Sequence, residues 1–163
     1  MATYTKDQLK QLVNGTVDKY TLHDMQSQFK DPDRFHKILE VWQEHVDWDD
    51  RIILPLAENL FVVLKEDGKR IIKSRSGYEF CEVHENWKLH ARVFLRNTEE
   101  QFDELYPRKM ACHPDWMEIR EYYDPNDGTL LEVEAVPPGY PAIHDFQPDI
   151  DTFYNEWLGQ PLQ

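Results

Sequence analysis

Cysteine is nearly missing from this chain: Cys81 and Cys112 are the whole supply in 163 residues. Two thiols cannot build a disulfide framework. They fit a cytosolic protein whose thiols stay reduced. Glycine is also scarce, at six residues, which leaves little material for a loop that cradles phosphate. No G-x-S-x-G elbow and no H-E-x-x-H pair occurs, so the familiar nucleophile and zinc-protease signatures are excluded. No charged-then-apolar leader opens the chain, and no apolar run approaches the roughly 20 residues of a membrane span. Positive charge is in deficit, with 18 Lys and Arg against 31 Asp and Glu, a net charge of -13. That balance repels phosphate backbones and argues against a nucleic-acid partner.

What the chain does have is aromatic surface. Aromatics reach 13%, including Trp42, Trp48, Trp87, Trp116 and Trp157. A chain of this size is long enough for a real core, but it struggles to bury five tryptophans. Trp and Tyr are enriched at interface anchors, so the composition favours a subunit of a complex.

The periodicity divides the chain into an α+β arrangement with three parts. Residues 1–50 read as a helical segment. Thr5 to Gln8 fits a capping box before Leu9, Leu12 and Val13, and Asn14-Gly15 is a stop. Thr21 with Asp24 suggests a second start. Asp31-Pro32 opens a third helix with Phe35, Ile38, Leu39, Trp42 and Val46 on its apolar face. Residues 51–136 read as an antiparallel β domain. Pro55 limits a strand begun at Ile52. Residues 59–65 form a buried strand, Asp67-Gly68 turns it, and 70–73 return. Residues 87–95 alternate as a half-buried strand, and Thr98 with Gln101 caps a short helix holding Phe102 and Leu105. Residues 106–115 are a loop. Strands then flank a second turn, the return running from Leu130 to Val136. Residues 137–163 are proline-rich and extended. Within them Ile150, Phe153, Tyr154, Trp157 and Leu158 make a helical anchor stripe, suited to a groove on this domain or on a partner.

Two turns resemble each other: Ser74-Arg75-Ser76-Gly77 and Asp124-Pro125-Asn126-Asp127-Gly128. Each sets two oxygen-bearing side chains before a glycine. This is the layout of a zinc ribbon with its cysteines replaced. Serine hydroxyls stay protonated at neutral pH and are poor zinc ligands. Asp124 and Asp127 alone suit a weak calcium or magnesium site. The plain alternative is a pair of tight turns held by side-chain bonds to backbone amides. Zinc rescued by Cys81 with His84, or Cys112 with His113, is a third alternative. The acidic runs Asp47 to Asp50 and Glu99-Glu100 offer carboxylates for acid–base work, although such groups usually cap helices or face water. Lys88, His90, Arg92, Arg96, Arg108, Lys109 and Arg120 either form one positive docking patch or pair within the chain.

Four strings resemble the gamma, or small, subunit of bacterial acetone carboxylases. They are Trp48-Asp49-Asp50-Arg51-Ile52-Ile53-Leu54-Pro55-Leu56, Glu85-Asn86-Trp87-Lys88-Leu89-His90-Ala91-Arg92-Val93, Ile119-Arg120-Glu121-Tyr122, and residues 140–150 with Glu156-Trp157-Leu158-Gly159. The resemblance implies two large partner subunits, two copies of each of three chains, and a cytoplasmic ligase that joins acetone and bicarbonate to acetoacetate. By the same resemblance ATP and a divalent metal would belong to the large subunits. The aromatic arm is expected to wrap one of them, and the alternatives are a small subunit of a carboxylase for another ketone, or a free-standing degenerate zinc-ribbon binding module. The small chain is implied to be structural, and in many members to bind zinc through C-x-C-G and C-P-x-C-G turns. Here those four positions are Ser74, Ser76, Asp124 and Asp127. The expectation is therefore a degenerate, metal-free double knuckle, with no catalytic, cofactor-binding or metal-binding residue on this chain.

Overall fold

The computed structural model of the chain describes residues 3–162. Three helices open it: α1 (Lys6–Val13), α2 (Lys19–Ser27) and α3 (Arg34–Gln43). Thr5 caps α1 in a full capping box with Gln8, and Gly15 adopts φ +66° as the chain leaves it. The second start lies earlier than Thr21. Asp18 is the cap, accepting from the amides of Tyr20 and Thr21, because its carboxylate reaches two free first-turn amides. The third helix begins at Arg34, not at Pro32. Asp31 is buried and binds the Arg34 Nε at 2.7 Å, so its carboxylate holds a side chain and does not cap the helix.

Leu9 and Met25 pack with Val41. Trp42 faces the other way, onto Ile52, Phe61 and Val63 of the first sheet. That sheet has order β1-β2-β3-β4, formed by Arg51–Ala57, Leu60–Leu64, Arg70–Ser74 and Glu79–Glu82. Pro55 does not end β1. It pairs with Phe61 across a break in register on either side, which an outer strand tolerates because one row of amides needs no partner. β4 had no clear sequence signal, being four residues with two glutamates.

β2 is buried on both faces. Phe61 and Val63 meet the α3 side, while Val62 meets Ile150 and Tyr154 from the C-terminal segment. That segment contains α5 (Ile150–Thr152), which runs into a π turn, Phe153–Trp157. The helical stripe in the arm thus covers the chain's own sheet.

The second sheet has order β5-β6-β7, formed by Arg92–Arg96, Glu118–Tyr123 and Leu130–Val136. The expected strand over 87–95 is wrong in its first half. Asn86 accepts from the Lys88 amide, and Trp87–His90 coil into a 3-10 turn. The turn sends Trp87 into the core with Phe80 and Tyr122, where the two sheets join, and leaves Leu89 in solvent. β5 itself is exposed over Arg92 to Leu95, not half-buried. Thr98 caps α4 (Glu99–Asp103) in a second capping box, with Phe102 buried beneath it. Another 3-10 turn, Arg108–Met110, interrupts the expected loop.

Candidate functional site

Ser74 ends β3 and Asp124 follows β6, so the two look-alike turns meet where the sheets join. Gly77 and Gly128 take φ +92° and +76°, the left-handed region that favours glycine. At Gly77 a side chain would also stand 3.3 Å from Trp48. The Ser76 hydroxyl donates to Asp124 Oδ2 at 2.6 Å, and the Ser74 and Ser76 hydroxyls lie 3.0 Å apart. Ser74 Oγ accepts the Tyr78 amide at 3.1 Å. Asp124, with no solvent exposure, accepts the Asn126 amide on Oδ1 at 2.8 Å. Three of the four presumed ligand positions therefore gather. The fourth, Asp127, is exposed and accepts the Thr129 amide at 2.9 Å, which holds its carboxyl below the usual range.

This donor set does not fit zinc. Two of the four positions are hydroxyls, and both Asp124 oxygens are already engaged within the turns. Zinc favours sulfur and imidazole arranged tetrahedrally. What the arrangement can do is brace: the turns keep their side-chain-to-amide bonds and are joined by one hydroxyl–carboxylate bond.

The alternative zinc ligands form no metal-spaced group of three among the described residues. Burial, followed by the charge of Glu85, pushes the Cys81 thiol up to about 11. It is therefore protonated at neutral pH and makes a poor ligand or nucleophile. His84, Cys112 and His113 are exposed. Among the described residues, one cluster has the spacing to hold a metal: Glu132, Glu134 and Asp145. A cation already sits there. Lys88 is wholly buried, with its ammonium 2.7 Å from Glu132, 2.5 Å from Glu134 and 3.1 Å from Asp145. Tyr122 donates to the other Glu134 oxygen at 2.7 Å. Burial alone would lower the Lys88 pKa; the three carboxylates overcome it and raise it. The sequence leaves Lys88 either in a docking patch or paired within the chain, and the structure pairs it. The readable signal was Glu132 and Glu134, two apart on one strand and so on one face.

The rest of the basic group divides. Arg96 binds Glu121 at 2.8 Å and Glu104 at 2.6 Å, Arg108 binds Asp103, and Arg120 binds Glu118. Internal pairing thus takes Lys88, Arg96, Arg108 and Arg120. His90, Arg92 and Lys109 remain exposed. Of the acidic runs, Asp50 is held by Lys73 at 2.5 Å and Lys65 at 2.9 Å. Burial works against its charge, and the two lysines still bring its pKa down. Glu99 and Glu100 occupy the first turn of α4, where the helix dipole favours them.

The C-terminal segment is tied to this chain along its length. The Arg120 guanidinium donates to the Tyr140 carbonyl, Asn86 donates to the Ala142 carbonyl, and Arg70 forms a two-point pair with Asp151. The Tyr154 hydroxyl donates to the Ile53 carbonyl at 2.7 Å. Trp157 and Phe146 are left exposed beside a cleft they share with Leu54 and Phe153. Among the described residues, no helix is long and apolar enough to cross a membrane.

A family model described as the acetone carboxylase gamma subunit matches residues 46–158. The acetone carboxylase gamma subunit of Xanthobacter autotrophicus is 49% identical over 160 residues, spanning 98% of this chain and 95% of that one. The acetophenone carboxylase beta subunit of Aromatoleum aromaticum is 30% identical over 78 residues, or 47% of this chain and 60% of that one. With a family match over most of its length and near-complete alignment to a half-identical relative, the chain belongs to the acetone carboxylase gamma subunit family.

Proposed function

We propose that this chain is the small, non-catalytic subunit of a cytoplasmic, ATP-dependent acetone carboxylase that joins acetone and bicarbonate to give acetoacetate. Two large subunits carry the nucleotide, the divalent metal and the chemistry, with two copies of each chain in the assembly. The observation that carries this reading is the end-to-end identity of 49% with an acetone carboxylase gamma subunit. The internal use of charge supports the non-catalytic part. Lys88, Asp50, Arg96 and Glu121 each have close partners of opposite sign on this chain, which suits a brace. We read the double knuckle as one that does without metal, and the Ser76–Asp124 bond, which already engages a presumed ligand oxygen, supports that reading.

The test is reconstitution. The chain is purified with its two large companions, and acetoacetate formation is measured with acetone, bicarbonate and ATP each omitted in turn. Activity should need all three substrates and all three chains. A complex that turns over acetophenone but not acetone would move the reading toward the Aromatoleum relative, whose similarity covers less than half of this chain. A chain that joins no large subunit would overturn the proposal.

A further inference from the structure

The four outer strands of the two sheets are not treated alike. β1 contains Pro55 and two breaks in register. β4 has four residues and a break. β7 has a break and two glutamates, bound by Lys88. Such devices keep a sheet edge from pairing with other chains. β5 has no proline and no break, and its charges are confined to its two ends, Arg92 and Arg96. Its five residues pair with β6 in unbroken register, Arg92 with Tyr123 through to Arg96 with Ile119. Val93, Phe94 and Leu95 are all exposed, so the strand is apolar and open on both faces as well as along its edge.

Its electrostatics are equally particular. Residues 86–98 contain none of the chain's 31 Asp and Glu. Of the basic side chains in this stretch, Lys88 and Arg96 are taken up by carboxylates of the chain itself, while His90 and Arg92 are exposed. On a chain of net charge -13, Arg92 is thus an exposed cation on a strand with no carboxylate of its own.

We infer that β5 is a docking edge that takes an extended acidic segment of a companion carboxylase subunit as an added strand. The inference rests on the carboxylase reading above and deepens it by naming the surface and the mode. Main-chain bonds along the free edge supply affinity. Val93, Phe94 and Leu95 pack the incoming apolar side chains, and Arg92 meets a carboxylate. A second copy of this chain fits poorly. Antiparallel self-pairing centred on Phe94 sets Arg92 of one copy opposite Arg96 of the other, and like charges directly opposite destabilise a sheet. The acidic surround disfavours nucleic acid.

The test uses the full chain and its two large companions, with binding measured at two salt concentrations. Arg92→Glu should weaken association by about tenfold and flatten its salt dependence, while Arg92→Lys stays close to wild type. Phe94→Asp should weaken it by at least as much, with the variant's own thermal melt checked first. Arg92→Glu guards against misfolding, because Arg92 is exposed. Hydrogen exchange should show amides of residues 92–96 that are open in the free chain and protected in the complex. Wild-type binding with unchanged Arg92→Glu and Phe94→Asp affinities, or unprotected β5 amides, would overturn the inference and leave the carboxylase reading standing. Wild-type chain that fails to bind would overturn the carboxylase reading and this inference with it. Self-association of the chain that is lost with Phe94→Asp would assign the edge to a second copy and overturn the inference.

Discussion

Ser76 and Asp124 stand 48 residues apart in sequence, and one hydrogen bond of 2.6 Å joins them across the junction of the two sheets. The Asp124 carboxylate is wholly buried. Removing the Ser76 hydroxyl leaves one of its oxygens without a donor, which costs about 1–3 kcal/mol. Urea unfolding of Ser76→Ala should show that loss, and Asp124→Ala should lose more, because the Asn126 amide is stranded as well. EDTA should leave the melting temperature of the native chain unchanged. A chelator-induced drop would mean that a metal helps hold the turns after all.

Lys88 ties β7 and the arm to the 3-10 turn. Lys88→Met leaves Glu132 and Glu134 as uncompensated, partly buried charges. Breaking a buried pair costs roughly 3–5 kcal/mol, and the lower end applies here because Asp145 and Glu132 reach solvent. Asp145→Asn should change stability by less than about 1 kcal/mol, as exposed pairs do. The pH dependence follows from the raised Lys88 pKa. A raised lysine contributes fully below its ordinary value of 10.5, and the contribution disappears as pH climbs through the folded value. Unfolding free energies measured upward from pH 8 should therefore lose this contribution only on the alkaline side of 10.5, and Lys88→Met should lack that decline.

Some of this was legible in the sequence and some was not, for physical reasons. Capping boxes at Thr5 and Thr98 are local, since two side chains three positions apart determine them. The Asp67-Gly68 hairpin is local too, and Gly68 takes φ +85° as such a turn demands. Period two misled at Trp87 to His90, because the alternation of Trp87, Leu89 and Ala91 was satisfied by chance. Asn86 capping and the burial of Trp87 decided the conformation there. The Lys88 cluster depends on Glu132, Glu134 and Asp145, more than 40 residues downstream; the spacing of the two glutamates puts them on one face, but no local pattern ties them to Lys88. Pro55 was read as a strand limit because its missing amide matters only in an inner strand, and the sequence did not reveal that β1 lies at an edge.

The two thiols should separate cleanly. Cys81 is pushed up to about 11 and half-buried, whereas Cys112 is exposed. Titration with a disulfide reagent at pH 8 should show one fast thiol and one that reacts only on unfolding. Cys112→Ser should remove the fast phase and leave the melting temperature unaltered. Two equally fast thiols in the native chain would contradict the burial of Cys81.

The C-terminal arm needs a sharper tool than deletion. Ile150 and Tyr154 cover Ile53 and Val62, all of them buried, so removing residues 147–162 would bare part of the first sheet. Loss of assembly after such a cut would not separate docking from unfolding. Point variants do separate them. Tyr154→Phe removes only the bond to the Ile53 carbonyl and should cost about 1 kcal/mol. Tyr154→Ala also leaves a cavity and should cost roughly 3–5 kcal/mol. Trp157 is 77% exposed, so Trp157→Ala should stay within about 0.5 kcal/mol of wild type in the isolated chain. If Trp157 is an anchor for a large subunit, the same variant should weaken co-assembly by about tenfold or more. Unchanged assembly would confine the arm's role to covering its own sheet.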